Sequence, residues 1–191
     1  MSSTNINPLP LLANETGVVE VQDDTNTTDG TIVIKSIEII RMTGTAVAIA
    51  IGFVQQDGSA PNYRLSAALL VFFLSGLTGL ESLVFGKQSA LAKKWPADTP
   101  YQRQTAMNNL AVAISMIIFL SLNASDSALA SLMLTTTVFI ALSSINHITT
   151  VIRDKLNGEE VAKIHFARFF FAVPLTAAVG FILGNWRPFA R

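Results

Sequence analysis

The stretch LSAALLVFFLSGLTGLESLVFGK (residues 65–87) decides the fold class of this chain. No charged residue occurs between residues 65 and 80. A helix needs about 20 mostly apolar residues to cross a bilayer core of about 30 Å, so the stretch predicts a transmembrane helix over residues 65–85. Glu81 lies inside that helix, six positions before Lys87. A carboxylate at such a depth requires an explanation.

The composition of the whole chain also indicates a membrane protein. Of its 191 residues, 50% are hydrophobic and 14% are charged, whereas a soluble domain carries about 25% charged residues. Cysteine is absent, which excludes disulfides and thiolate metal sites. Basic and acidic residues balance at 13 each, so nothing points to nucleic acid as a partner. We therefore predict an all-α integral membrane helical bundle.

Three later blocks are also long and apolar enough to span a membrane: residues 105–122, 128–152 and 164–184. Pro174 in the last block is compatible with a span, because neighbouring helices can satisfy the carbonyl that it frees. An earlier block, residues 31–54, becomes apolar only from Met42 onward. Before that point it carries charges at three-residue spacing, at Lys35, Glu38 and Arg41. It is typical of an amphipathic entry into a further span, which makes five spans in total.

The distribution of basic residues predicts the orientation of these spans. With five spans, one side of the membrane collects ten basic residues: Lys35, Arg41, Lys87, Lys93, Lys94, Arg103, Arg153, Lys155, Lys163 and Arg168. The other side keeps three, Arg64, Arg187 and Arg191. If the first helix lay outside the membrane, Lys35 and Arg41 would change sides, and the basic residues would divide eight against five. The positive-inside rule therefore favours five spans with a cytoplasmic N-terminus, in a bacterial inner membrane or an equivalent membrane.

The first thirty residues differ from the rest of the chain. They are polar and carry five acidic residues without a base. Such a segment cannot bury enough apolar surface to order itself. We expect residues 1–30 to form a disordered acidic tail and residues 31–191 to form the bundle.

Polar groups recur at one level of the predicted spans. Glu81, Asn109 and His147 each lie six positions inside a basic residue that marks the predicted cytoplasmic end of their helix. At 1.5 Å per residue, each lies roughly 8–9 Å from that residue. Similar counting adds Arg41 on the first span and Arg168 on the last span. The predicted polar intramembrane layer comprises Arg41, Glu81, Asn109, Asn146, His147 and Arg168.

This layer has two interpretations, which the sequence leaves open. Ionisable groups within a membrane often line ion, proton or ligand pathways, and Glu81 and His147 could exchange a proton. Alternatively, the layer holds the helices together, since polar side chains that bond across membrane helices contribute roughly 0.6–2 kcal/mol each. In that case Glu81 pairs with Arg41 or Arg168. We expect Glu81 to have such a cationic partner.

Other site chemistries find no support in the sequence. There is no glycine-rich phosphate loop, no metal-ligand spacing and no nucleophile motif, so we predict no catalytic residue, no metal and no cofactor. Two faces of small residues indicate close helix packing: Gly44, Ala48 and Gly52 in one helix, and Gly180 and Gly184 in another.

The segment LAKKWPADTPYQRQTAMNNLAVAISMI (residues 91–117) resembles the central signature of a family of small bacterial integral membrane proteins, a domain of unknown function. The matching positions are Trp95, Pro96, Thr99, Pro100, Tyr101, Gln102, Asn109, Leu110 and Ala111. Glu81 stands where the family carries a polar residue, and His147 is retained in a helix that resembles the family's Gly-His-Ile ending. The resemblance covers roughly residues 65–185 and implies the architecture but no chemistry. It departs at Gln102-Arg103-Gln104, where the family more often has an acid, and in the charged segment GEEVAKIHFA.

Two functions follow from these features. The first is a non-enzymatic accessory or scaffolding subunit that contacts the lipid bilayer and other membrane subunits or copies of itself. The alternative is a small proton-coupled transporter or channel that uses the polar layer around Glu81 and His147. An intramembrane enzyme ranks lowest, because no catalytic motif supports it.

Overall fold

The computed structural model of the chain describes residues 24–54, 60–92, 99–158 and 163–185, and this part contains helices and no strand. The helices are α1 (Asp24–Val54), α2 (Ala60–Val71), α3 (Leu77–Val84), α4 (Gly86–Ala92), α5 (Pro100–Ser121), α6 (Asp126–Leu156) and α7 (Lys163–Asn185). A π-helical turn, Phe72–Gly76, joins α2 to α3 without a break. Together α2, the turn and α3 form what we call the first apolar span.

The prediction of an all-α membrane bundle is confirmed. Four helical segments are long and apolar enough to cross a membrane, with mean hydropathies between 1.4 and 1.9: Tyr63–Val84, Pro100–Ser121, Asp126–Leu156 and Phe166–Asn185. The second of these, α5, begins at Pro100, earlier than the predicted start at residue 105. Thr99 caps α5 by accepting a hydrogen bond from the Gln102 amide at 3.2 Å, and Pro100 occupies the first helical position.

The second half of helix α1 lies antiparallel to the first apolar span. Near one end Ser66 donates a hydrogen bond to the Ala48 carbonyl at 2.7 Å, and near the other Arg41 contacts Glu81. The helix begins at Asp24, before the predicted boundary at residue 30. The rest of the predicted acidic tail, residues 1–23, lies outside the described residues.

The outward face of α1 is apolar where the helix passes the first apolar span. Ile39, Ile40 and Val47 are 65%, 54% and 50% exposed, while Arg41 is buried. This distribution is the reverse of that on a soluble helix and suits contact with lipid. Helix α1 is not among the four apolar segments, and its role as a fifth span stays a prediction.

The first apolar span lies at the centre of the bundle. It packs against α1, α5 and α6, while α7 packs against α6 and more lightly against α1. Within its most apolar window 44% of the residues are buried in protein, against 22% for both α5 and α7. Its central position explains why Ser75, Gly76 and Glu81 are all buried.

The two ends of the bundle differ in character. At the end where residues 122–125 connect α5 to α6, which we call the turn end, an apolar core fills the space between helices. Its largest members include Leu70, Met116, Leu129, Met133, Leu175 and Ile182. Arg64 holds the turn end together by donating hydrogen bonds to Asp126 Oδ1 at 2.9 Å and to Asn123 Oδ1 and the Ala124 carbonyl, both at 3.1 Å. The opposite end, at Lys87, Arg103 and Arg153, is called the basic end.

Candidate functional site

The predicted polar layer gathers on the basic-end side of the apolar core. Arg41, Glu81, Asn109 and His147 are only 7%, 2%, 3% and 1% exposed, and the Arg168 side chain is 19% exposed. They come from α1, α3, α5, α6 and α7, so five helices contribute to one polar cluster. A common depth of these groups in the membrane stays a prediction.

The cationic partner of Glu81 is Arg41. Arg41 Nη1 donates hydrogen bonds to Glu81 Oε2 at 3.1 Å and to Thr78 Oγ1 at 3.0 Å. The other carboxylate oxygen, Oε1, accepts a hydrogen bond from Ser89 at 2.5 Å. A buried charge is tolerated only when it is paired and its hydrogen bonds are satisfied. Both oxygens of Glu81 meet that condition.

Ser89 lies between the predicted spans over residues 65–85 and 105–122, and the sequence analysis did not single it out. A straight helix would separate positions 81 and 89 by about 12 Å. Instead α3 ends at Val84, the backbone of Phe85 leaves the helical region (φ −118°, ψ 28°), and α4 folds back beside α1. Ser89 is thereby buried against Glu81. A helix of seven residues is too short to produce a signal in hydropathy, so Gly86 at the bend is the sequence feature that could have indicated it.

A second arginine extends the network through Glu38. The Glu38 carboxylate contacts Arg41 directly, and its Oε2 lies 3.6 Å from Arg168 Nη2. Arg168 Nη1 lies 3.3 Å from His147 Nε2. A guanidinium can only donate, so Nε2 of His147 accepts this hydrogen bond and the ring proton resides on Nδ1. The polar contacts thus run from α6 through α7 and α1 to α3 and α4.

The two asparagines of the predicted layer take different positions. Asn109 is buried and donates to the Thr105 carbonyl at 3.0 Å. The side chain of Asn146 is exposed, and its backbone carbonyl accepts hydrogen bonds from Thr149 and Thr150. Neighbouring residues point about 100° apart around a helix because a turn contains about 3.6 residues. His147 therefore faces the bundle interior, whereas Asn146 lies at its edge.

A cavity of about 700 Å³ lies beside this network. Its polar lining includes Glu38, Arg41, Gln102, Asn109, His147 and Arg168, and its apolar lining includes Met42, Leu74, Phe139, Ile140 and Phe171. Thr99 and the exposed Tyr101 also line it, so it extends to the basic end. Toward the turn end the cavity borders the apolar core, since Leu74 belongs to both. Its volume lies in the range of small-molecule sites, about 300–1,000 Å³.

Three buried polar atoms that belong to cavity-lining residues have no hydrogen-bond partner within the described part of the chain. They are Arg168 Nε, Arg168 Nη2 and Gln102 Oε1. Buried polar groups in folded proteins almost always have a partner in protein, water or ligand. A partner for these atoms would have to supply oxygen acceptors to Arg168 and a donor to Gln102. Among the described residues no cluster of histidine, aspartate and glutamate is arranged to hold a metal ion.

The chain matches no protein-family model, no curated protein and no solved structure. The resemblance to a bacterial membrane family through Trp95, Thr99 and Asn109 therefore stays a prediction.

Proposed function

We propose that this chain is a small membrane carrier that binds its solute in the cavity at the basic end. One observation carries the proposal: five helices direct polar side chains to the edge of a cavity of about 700 Å³. Polar groups that only connect helices need no such space, because close packing strengthens interhelical contacts in a membrane. The Arg41–Glu81 pair is the contact expected if the polar layer holds the helices together. The cavity supports the other interpretation, in which the layer lines a pathway for a solute.

The proposed carrier has its cavity on the cytoplasmic side. Helix α1 serves as the fifth span, since it accompanies the first apolar span from Glu81 to Ser66 and presents an apolar outward face. The division of basic residues then assigns the basic end to the cytoplasm. A solute would enter from that side and meet the apolar core of the turn end as a barrier. Coupling to protons through Glu81 and His147 stays a prediction.

The outer surface of the bundle bears on the accessory-subunit function that the sequence predicts. Exposed apolar side chains on the outer helices, such as Ile117, Leu142 and Phe170, are consistent with contact to a bilayer. No contact among the described residues identifies a protein partner. An accessory role therefore also stays a prediction.

Single cysteines test whether the cavity contains water and which side it faces. The chain has no cysteine of its own, so a Ser143→Cys variant carries one reactive group on the cavity wall. We expect this thiol to react with a water-soluble, membrane-impermeant methanethiosulfonate added to the cytoplasmic side, because thiol reactivity requires the hydrated thiolate. The measurement is the gain in protein mass after labelling in sealed vesicles.

Two control positions accompany that variant on the same helix. Leu142→Cys faces outward from α6, at a position that is 61% exposed, and Met133→Cys lies in the apolar core at 0% exposure. Both should stay unlabelled, Leu142→Cys because lipid excludes the reagent. If Ser143→Cys is as unreactive as these controls from either side, the cavity is dry and the proposed function is wrong.

A further inference from the structure

The cavity contains one cation whose hydrogen bonding is incomplete in a specific way. Arg168 Nη1 faces His147, while Nε and Nη2 have no hydrogen-bond acceptor in the described part of the chain. Nε–H and the outer Nη2–H of a guanidinium point in the same direction and form one edge of its rigid fork. No described acceptor bonds to this edge of Arg168, which is the edge that binds a carboxylate or phosphate through two parallel hydrogen bonds.

The carboxylates of the described residues do not form hydrogen bonds to this edge. The nearer oxygen of Glu38 lies 3.6 Å from Nη2, which exceeds hydrogen-bond distance. The Glu38 carboxylate is in direct contact with Arg41, and Glu81 is also paired with Arg41. Arg41 is therefore shared by two acids. Arg168 Nη2 is within ion-pair distance of Glu38 but beyond hydrogen-bond distance.

We infer that the cavity binds an amphiphile with an oxyanion head, a carboxylate or a phosphate ester, on the Nε/Nη2 edge of Arg168. This inference rests on the proposed function, because it requires a cavity that is open to ligands. The apolar part of the ligand lies against Phe139, Ile140 and Phe171, which line the same cavity. Charge-assisted bidentate bonds hold the head, and apolar contacts hold the body.

Binding of matched twelve-carbon probes to the full-length chain in nanodiscs of zwitterionic lipid tests the inference. The probes are dodecanoate, dodecyl phosphate and dodecanol, and isothermal titration measures each dissociation constant. A hydrogen bond to a charged group contributes about 1.5–3 kcal/mol, so we expect an anionic probe to bind about 10- to 100-fold more tightly than dodecanol. Tighter binding of dodecanoate indicates a free carboxylate as the natural head, and tighter binding of dodecyl phosphate indicates a lipid phosphate.

Variants of Arg168 test whether its Nε/Nη2 edge causes the preference for anionic probes. Arg168→Gln should remove the preference for anionic probes, and Arg168→Lys should restore it only in part, because an ammonium cannot form the bidentate pair. Arg103→Gln, which removes an exposed cation at the same end, should bind as wild type does. Glu38→Gln removes the competing acid and should tighten dodecanoate binding. That variant also tests the inference if Arg168→Gln does not fold.

The results separate the ligand class from the proposed function. If dodecanol binds as tightly as the anions, or if neither Arg168→Gln nor Glu38→Gln changes anionic binding, the oxyanion inference is overturned. Labelling of Ser143→Cys would still uphold a water-filled cavity in that case. If Ser143→Cys is also unreactive, both proposals fall together.

Discussion

Replacement of Arg41 by leucine is expected to lower the free energy of unfolding by about 3–5 kcal/mol, the usual effect of removing one member of a buried ion pair. Glu81 is 2% exposed and would lose its cation while Ser89 continued to donate to Oε1. Glu38 would lose its closest contact as well. The measurement is unfolding of the purified chain in mixed micelles under increasing denaturing detergent, with far-ultraviolet circular dichroism as the signal.

A double-mutant cycle distinguishes the loss of stability caused by breaking the ion pair from that caused by removing the Arg41 side chain. Arg41→Leu combined with Glu81→Leu removes both charges, and apolar replacement of a whole buried pair is often neutral or stabilising. The double variant should therefore be more stable than Arg41→Leu alone. Lys35→Leu, at an exposed position on the same helix, is the matched control and should change stability little. Additive effects of the two leucines would contradict the pairing of Arg41 with Glu81.

The depth of the polar groups could be predicted from the sequence, because helical rise converts residue number into distance along a span. Counting inward from Lys87 and Arg153 brought Glu81 and His147 to one level, and the structure buries both at the basic end. Hydropathy likewise located the four apolar helices. These features depend on single helices, so a single sequence is sufficient to predict them.

The side of its helix on which each polar residue lies could not be predicted in the same way. Asn146 has the correct depth but is exposed at the edge of the site, since no nearby pattern specifies which side of α6 faces inward. Glu38 was visible as one of three regularly spaced charges, yet its contacts with Arg41 and Arg168 depend on how α1 and α7 pack. The cavity arises from space left between five helices. No local sequence feature encodes that space.

Gly44 controls how closely α1 approaches the first apolar span, and its replacement is the second large effect that we expect. A Cβ atom at Gly44 would lie 2.3 Å from Cε1 of the Phe73 ring, so alanine fits only if the ring or the helix moves. Such overpacking typically destabilises a protein by about 1–3 kcal/mol. Arg41 lies one turn before Gly44 on α1, so displacement of the helix should also weaken the Arg41–Glu81 pair.

Gly180→Ala in α7 is the matched control, because nothing lies within 4 Å of a Cβ atom at that position. Removing a helical glycine is by itself favourable by roughly 0.5–1 kcal/mol. We therefore expect Gly180→Ala to stabilise the chain slightly and Gly44→Ala to destabilise it in the same unfolding measurement. Repeating the Arg41 and Glu81 cycle in the Gly44→Ala background should give a smaller coupling energy. If Gly44→Ala instead stabilises the chain, α1 does not pack closely against Phe73. If it also leaves the coupling energy unchanged, the Arg41–Glu81 contact does not depend on how closely α1 approaches the first apolar span.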